Sequence, residues 1–101
     1  MSDKKTGVGL IFLERQRQLQ EEGWSKEHDS KYQNQELAAA AAAYATPETL
    51  RSYGPDGLPP TWPWAEEWWK PEPQDRIREL VKAGALIAAQ IDLELSKEEM
   101  L

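Results

Sequence analysis

Apolar and polar positions alternate along this chain with the period of helices, and no run shows the two-residue period of a strand. In residues 7–23, Val8, Ile11, Phe12, Arg15 and Leu19 recur at steps of three and four, and Gly23 supplies a residue able to take the left-handed conformation that ends a helix. Residues 24–34 lose that period and are rich in capping residues, so a turn, or one helical turn capped by Ser25 or Asp29, is expected there. Residues 34–45 read NQELAAAAAAYA, with Asn34 as a candidate cap, Leu37, Ala40, Ala41 and Tyr44 on one side, and six consecutive alanines, the strongest helix former. Thr46 and Pro47 then predict a cap with proline at the first helical position, opening a short helix to about Tyr53. In the closing segment Ile77, Leu80, Val81, Gly84, Ile87, Ala88, Ile91 and Leu95 form a long stripe at helical spacing, and residues 96–101 are expected to fray.

Between the last two segments the pattern breaks. Residues 54–73 hold six of the seven prolines and four of the five tryptophans, a combination that fits a long ordered loop, with one helical turn expected over residues 65–69. The prediction is a mainly α fold: a small single domain of three to four helices with a long Pro/Trp-rich loop. A polar tail covers residues 1–6, the helical domain residues 7–95 with the loop at 54–73, and a frayed end residues 96–101. The alanine-rich helix gives up large buried side chains for close backbone approach, used either inside the domain or against a second copy, so a homo-oligomer is possible.

Charge narrows the partners. Twelve basic against eighteen acidic residues give a net charge of -6, which disfavours duplex nucleic acid and anionic lipid. The longest apolar run is too short to span a bilayer and the N-terminal residues lack a signal-peptide core, so a cytoplasmic setting is expected. No cysteine and one histidine leave no zinc set, and neither HExxH nor an EF-hand loop is present, so no metal or cofactor is assigned. Without a GxSxG elbow, a phosphate-cradling glycine loop or a Cys/His pair, the chain is read as non-enzymatic.

Two clusters of residues suggest binding chemistry. In EEGWSKEHD, His28 follows Trp24 by four residues, so a helical turn would stack the two rings, with Asp29 beside them; the alternative is that His28 and Asp29 fix an irregular turn while Trp24 fills the core. On the closing helix Asp75, Arg78 and Lys82 fall at steps of three and four, and Lys70 ends the tryptophan segment. Arg78 offers a planar fork and Lys82 a point charge to a phosphate or carboxylate, the alternative being that Asp75 or Glu79 pairs with them on a solvated surface. Indole faces from Trp64, Trp68 and Trp69 beside these cations would suit a nucleotide or another flat anion. The competing expectation is that these three tryptophans cover the groove between the first and last helices, Trp64 and Trp68 sharing an inward face, with about two of the four loop tryptophans serving structure.

The blocks EEGWSKEHDS, QELAAAAAAYA, WPWAEEWWKP and LVKAGALIAAQI resemble the signature blocks of a family of small uncharacterised phage and prophage proteins, whose members read much like GW-x-x-EHDD, ELA-x-AA-x-YA, WPW-x-x-x-WWKP and LVKAGALI; the likeness spans most of residues 14–91. Ser30 stands where that pattern has a second aspartate. A further likeness, through Gly23-Trp24, Asp29, Lys31 and Asp75-Arg76, is to the ryanodine-receptor repeat domain, which implies a small helical module and a nucleotide-derived ligand. Together these readings lead to two expectations. One is a phage-encoded protein in the host bacterial cytoplasm that sequesters an anionic nucleotide-like ligand, such as a host immune signal, through Trp24, His28, Asp29, Trp64, Trp68, Trp69, Lys70, Arg78 and Lys82. The other is a module that inhibits or redirects a host protein through its Trp/Pro loop and acidic surface.

Overall fold

The computed structural model describes residues 5–20 and 34–99, and these are mainly helical. Helix α1 spans Gly7–Gln20, α2 spans Glu36–Ala45 and α3 spans Arg76–Glu99, with 3-10 turns at Glu48–Leu50 and Glu66–Trp68. No strand occurs among the described residues. The expected mainly α fold with its Pro/Trp-rich loop is what the described residues form, with three α-helices among them.

Helix α2 lies antiparallel against α3. Gln35 and Ala38 meet Glu94 and Gln90 near one end, while Tyr44 and Ala45 meet Arg76 at the other. Leu37, Ala40, Ala41, Ala43 and Tyr44 of α2 are buried on Ala83, Leu86, Ala89 and Leu93 of α3, with Trp62 closing the cluster. Small side chains on both faces let the backbones come close, so the core gains dense contact instead of bulk. The alanine face is thus used inside the domain, and the alternative of an alanine-mediated second copy loses its surface.

Both ends of α2 are capped from elsewhere. Gln35, the residue before the helix, has φ 66 and makes no side-chain cap, and Asn34 donates its backbone N–H to Glu36 Oε1 instead of accepting one. The free Ala38 N–H donates instead to Gln90 Oε1 of α3, 3.1 Å away. At the other end, Arg51 Nε and Nη2 donate to the carbonyls of Ala43 and Tyr44, each 3.2 Å away, while Arg76 donates to those of Tyr44 and Ala45. Two guanidinium groups therefore satisfy carbonyls that the helix cannot, and their charge complements its negative end.

That arrangement alters the expected helix after Pro47. Thr46 does not cap it: its hydroxyl donates to Ala42 C=O and closes α2, and the following helix stops at Leu50 because Arg51 goes extended to reach back to α2. At the other end of the chain α3 continues through Glu99, past the expected fraying point, with Ser96 Oγ bonded to Leu93 C=O and Lys97 paired with Glu94 at 3.6 Å.

The apolar stripes turn out differently from their spacing. In α3 the buried positions are Glu79, Val81, Ala83, Ala85, Leu86, Ala89, Gln90 and Leu93. Ile77, Leu80, Ile87, Ile91 and Leu95 each keep 47–66 % of their surface exposed. The alanines of α2 accept only a close, small-residue face, so α3 presents its Ala/Leu side to them and leaves the branched residues outside. Helix α1 crosses α3 at Gly84, where an added Cβ would come within 2.4 Å of Ile11 Cδ1. It buries Glu14, Arg15 and Gln18 and leaves Val8, Phe12 and Leu13 exposed.

At the centre sits Glu79, wholly buried. One oxygen accepts the Glu72 N–H at 2.9 Å and pairs with Arg51 at 3.0 Å, and the other accepts from Arg76 at 3.1 Å. Burial opposes ionisation of this carboxyl, but these bonds outweigh it and hold it below its usual range. A carboxylate with a depressed folded-state pKa stabilises the fold above its unfolded value, and that contribution disappears as pH falls through the folded one. Glu79→Gln leaves Arg51 buried without its counter-charge and is expected to cost about 3–5 kcal/mol. Urea melts at neutral pH measure that loss, and a pH series should show the gap between variant and wild type closing below about pH 4, where an unperturbed glutamate protonates.

Candidate functional site

The Trp/Pro segment is built around Tyr44. Its ring lies 5.6 Å from Trp62 at 88° and 4.8 Å from Trp69 at 32°, while Trp62 stands edge-on to Trp64 at 5.3 Å. Offset and edge-to-face contacts of this kind add to the apolar burial of the rings. Trp62 Nε1 donates to Ala65 C=O at 3.1 Å, and the Tyr44 hydroxyl accepts the Lys70 N–H at 3.1 Å. Burial, aided by the carboxylates of Glu72 and Glu79, pushes the Tyr44 hydroxyl above its usual range. The loop is therefore pinned at three rings and two hydrogen bonds despite having only one 3-10 turn.

Before that turn, residues 54–58 fold tightly: Gly54 N–H donates to Leu58 C=O, Gly57 N–H to Gly54 C=O, and Asp56 Oδ1 accepts the Leu58 N–H. Gly57 has φ 79, which L side chains adopt with strain.

Of the proposed binding residues, Trp24, His28 and Asp29 lie outside the described residues. The others separate into three situations. Trp64 and Trp69 are partly buried and pack against the core, joined there by the buried Trp62, so that three of the four loop tryptophans face inward. They cluster on Tyr44 over the α2–α3 pair, not as the cover of a groove between the first and last helices. Trp68 is the exception, 58 % exposed, and so does not share an inward face with Trp64. It follows the exposed Glu66 and Glu67 on the 3-10 turn.

Lys82 comes to the edge of the aromatic cluster and Arg78 meets it at Glu72, but each already holds a carboxylate. Lys82 Nζ is 2.6 Å from Glu72, 2.9 Å from Lys70 C=O and 5.3 Å from the Tyr44 ring centroid. Arg78 Nη1 bonds Glu14 at 2.6 Å, and its Nε is 3.8 Å from Glu72. Glu14 is buried, and although burial works against its charge, bonds from Arg17 and Arg78 hold its carboxyl below the usual range. Lys70 contributes its backbone to both Tyr44 and Lys82. The acid expected to partner these cations was Asp75 or Glu79; Asp75 instead caps α3 by accepting the Arg78 N–H, and the partners are Glu72 and Glu14.

Several residues central to this region escaped the sequence reading: Tyr44 stood only as one member of a helical face, and neither Arg51 nor Glu72 was given a role. Glu79, which is followed directly by Leu80 and Val81 in α3, carried the one available signal. Among the described residues no group of three His, Cys, Asp or Glu side chains is placed to hold a metal ion, and no helix is long and apolar enough to cross a membrane. No family model, curated protein or solved structure matches this chain.

The differing environments of the indoles can be read optically. Trp68→Phe should remove a red-shifted, acrylamide-accessible part of the emission, whereas Trp62→Phe should leave that part and lower the melting temperature. Fluorescence quenching and thermal melts on the two variants check this, and equal quenching in both would contradict the placement of Trp68.

Proposed function

We propose that this protein is a non-enzymatic protein-binding module that docks through its Trp/Pro segment, with Trp68 as the anchor. The observation that carries the reading is an exposed indole on a turn whose neighbours are fixed: Trp69 on Tyr44 behind it, Glu66 and Glu67 before it. A rigid exposed tryptophan loses little conformational freedom on binding and is typical interface hot-spot material. Leu50 and Tyr53 are also exposed, on the strand of chain that Arg51 ties to Trp69 by a cation–π contact at 5.3 Å. Acidic neighbours and the net charge of -6 favour a partner with an apolar cleft inside a basic rim. The resemblance to phage proteins makes a host bacterial protein, inhibited or redirected, the expected partner.

A second reading rests on Glu72. Its carboxylate, partly exposed, sits between Lys82 and Arg78 beside the Tyr44 ring, where the carboxylate or phosphate of an anionic nucleotide-like ligand would sit after displacing it. The arrangement supports a ligand site only if that internal carboxylate moves aside.

The two readings separate experimentally. Cross-linking to proteins of a host extract, followed by titration of the recovered partner with purified chains, should show Trp68→Ala weakening binding by about 30-fold or more, the loss of a hot-spot residue, with the circular dichroism unchanged. Binding that survives Trp68→Ala and Trp68→Glu alike would overturn the module reading. Nucleotides and cyclic dinucleotides that shift tryptophan emission in wild type, and more strongly in Glu72→Gln, would instead favour the ligand reading.

A further inference from the structure

We infer that Lys82 is a positioning residue for Trp68, acting through the backbone of Lys70; this rests on the docking role proposed for Trp68, and its test requires no partner. The turn that carries Trp68 holds itself with two backbone bonds, from Trp68 N–H to Ala65 C=O at 3.1 Å and from Trp69 N–H to Glu66 C=O at 3.0 Å. A single 3-10 turn has little stability of its own, so the direction of its exposed indole is set where the chain enters and leaves it. Entry is fixed by Trp62 Nε1 on Ala65 C=O.

The exit is poor in donors. Lys70-Pro71-Glu72-Pro73 contains two prolines, which offer no N–H. Its two remaining N–H groups both go to the helices, that of Lys70 to the Tyr44 hydroxyl at 3.1 Å and that of Glu72 to Glu79 at 2.9 Å. Lys70 C=O, two residues beyond Trp68, accepts from Lys82 Nζ at 2.9 Å. Lys70 is thus held by its N–H from α2 and by its C=O from α3, and Lys82 supplies the α3 half.

Exposure separates Lys82 from the other two groups that grip the exit. Tyr44 and Glu79 are buried, so their loss disturbs the whole fold. The Lys82 side chain stays partly exposed, and its ammonium is steered by Glu72, 2.6 Å away, and by the Tyr44 ring, 5.3 Å to its centroid. An ammonium has three donors, enough to serve Glu72 and Lys70 together. An ion pair with a partly exposed carboxylate adds little to global stability, whereas the bond to Lys70 C=O restrains the chain right beside the exposed indole. Order at Trp68 therefore depends on Lys82 far more than the melting temperature does, and an indole already ordered loses less freedom on docking.

The test uses the full chain labelled with 5-fluorotryptophan, its Trp68 resonance assigned by Trp68→Phe. Lys82→Met keeps an unbranched side chain without the ammonium. It should shift or broaden the Trp68 fluorine line and speed exchange of the Lys70 amide about tenfold, the equivalent of one hydrogen bond to a charged group. The Trp62 line, the exchange of the α2 and α3 core amides and the melting temperature should stay close to wild type. Lys82→Arg, which keeps the charge, should fall nearer to wild type than Lys82→Met in both the Trp68 line and the Lys70 exchange. An unchanged Trp68 line in Lys82→Met, or a change spread over all the tryptophans with a lowered melting temperature, would overturn the proposal. Because no partner takes part, either result is independent of whether Trp68→Ala weakens docking.

Discussion

A buried carboxylate that must not be left alone organises this molecule. Glu79 has no solvent exposure, and an isolated ionised carboxyl in such a place is prohibitively unfavourable. Its charge is tolerable because three segments converge on it: Arg51 from the chain after α2, the Glu72 N–H from the end of the Trp/Pro segment, and Arg76 one turn earlier in α3. The same two arginines complete the carbonyl end of α2. One acid thereby sets the relative positions of α2, α3 and the loop, and the aromatic cluster on Tyr44 is assembled in the space this leaves.

A polar centre of this kind explains why the apolar core can be so lean. Alanine supplies most of the α2–α3 contact, and among the described residues the large side chains of this core cluster are Leu37, Leu86, Leu93, Tyr44 and Trp62. Close backbone approach then depends on exact register between the helices, and charged bonds at one end with the Gln90 and Glu94 amide network at the other supply it. Whether ionic networks add net stability over apolar packing varies between proteins, but their value in selecting one arrangement among many fits a core with so little shape of its own.

The helices were legible because periodicity and propensity are local properties: the alanine run, the branched residues of α3 and the proline-rich break all state themselves within a dozen positions. The buried faces were not legible. Spacing says that Ile77, Leu80, Ile87 and Ile91 lie together, but which face turns inward depends on what α2 can accept, a fact stored some forty residues away. The candidate site failed and succeeded for the same reason. Aromatic density marked the Trp/Pro segment correctly as ordered, and the cations of α3 do approach it, yet the acids that hold them, Glu14 and Glu72, sit in other elements and leave no trace in the spacing of Arg78 and Lys82. Glu79 was the nearest to visible, as an acid followed directly by Leu80 and Val81.

The borrowed caps of α2 bear on how the chain is made. Helix α2 emerges from the ribosome well before Arg76, Gln90 and Glu94, the side chains that complete its two ends, and ten residues alone hold a helix only weakly. The nascent polypeptide must therefore wait, with its alanine face uncovered, until α3 has been made. Assembly of this domain is in that sense delayed by its own chain order, completed when α3 folds back over the helix made before it.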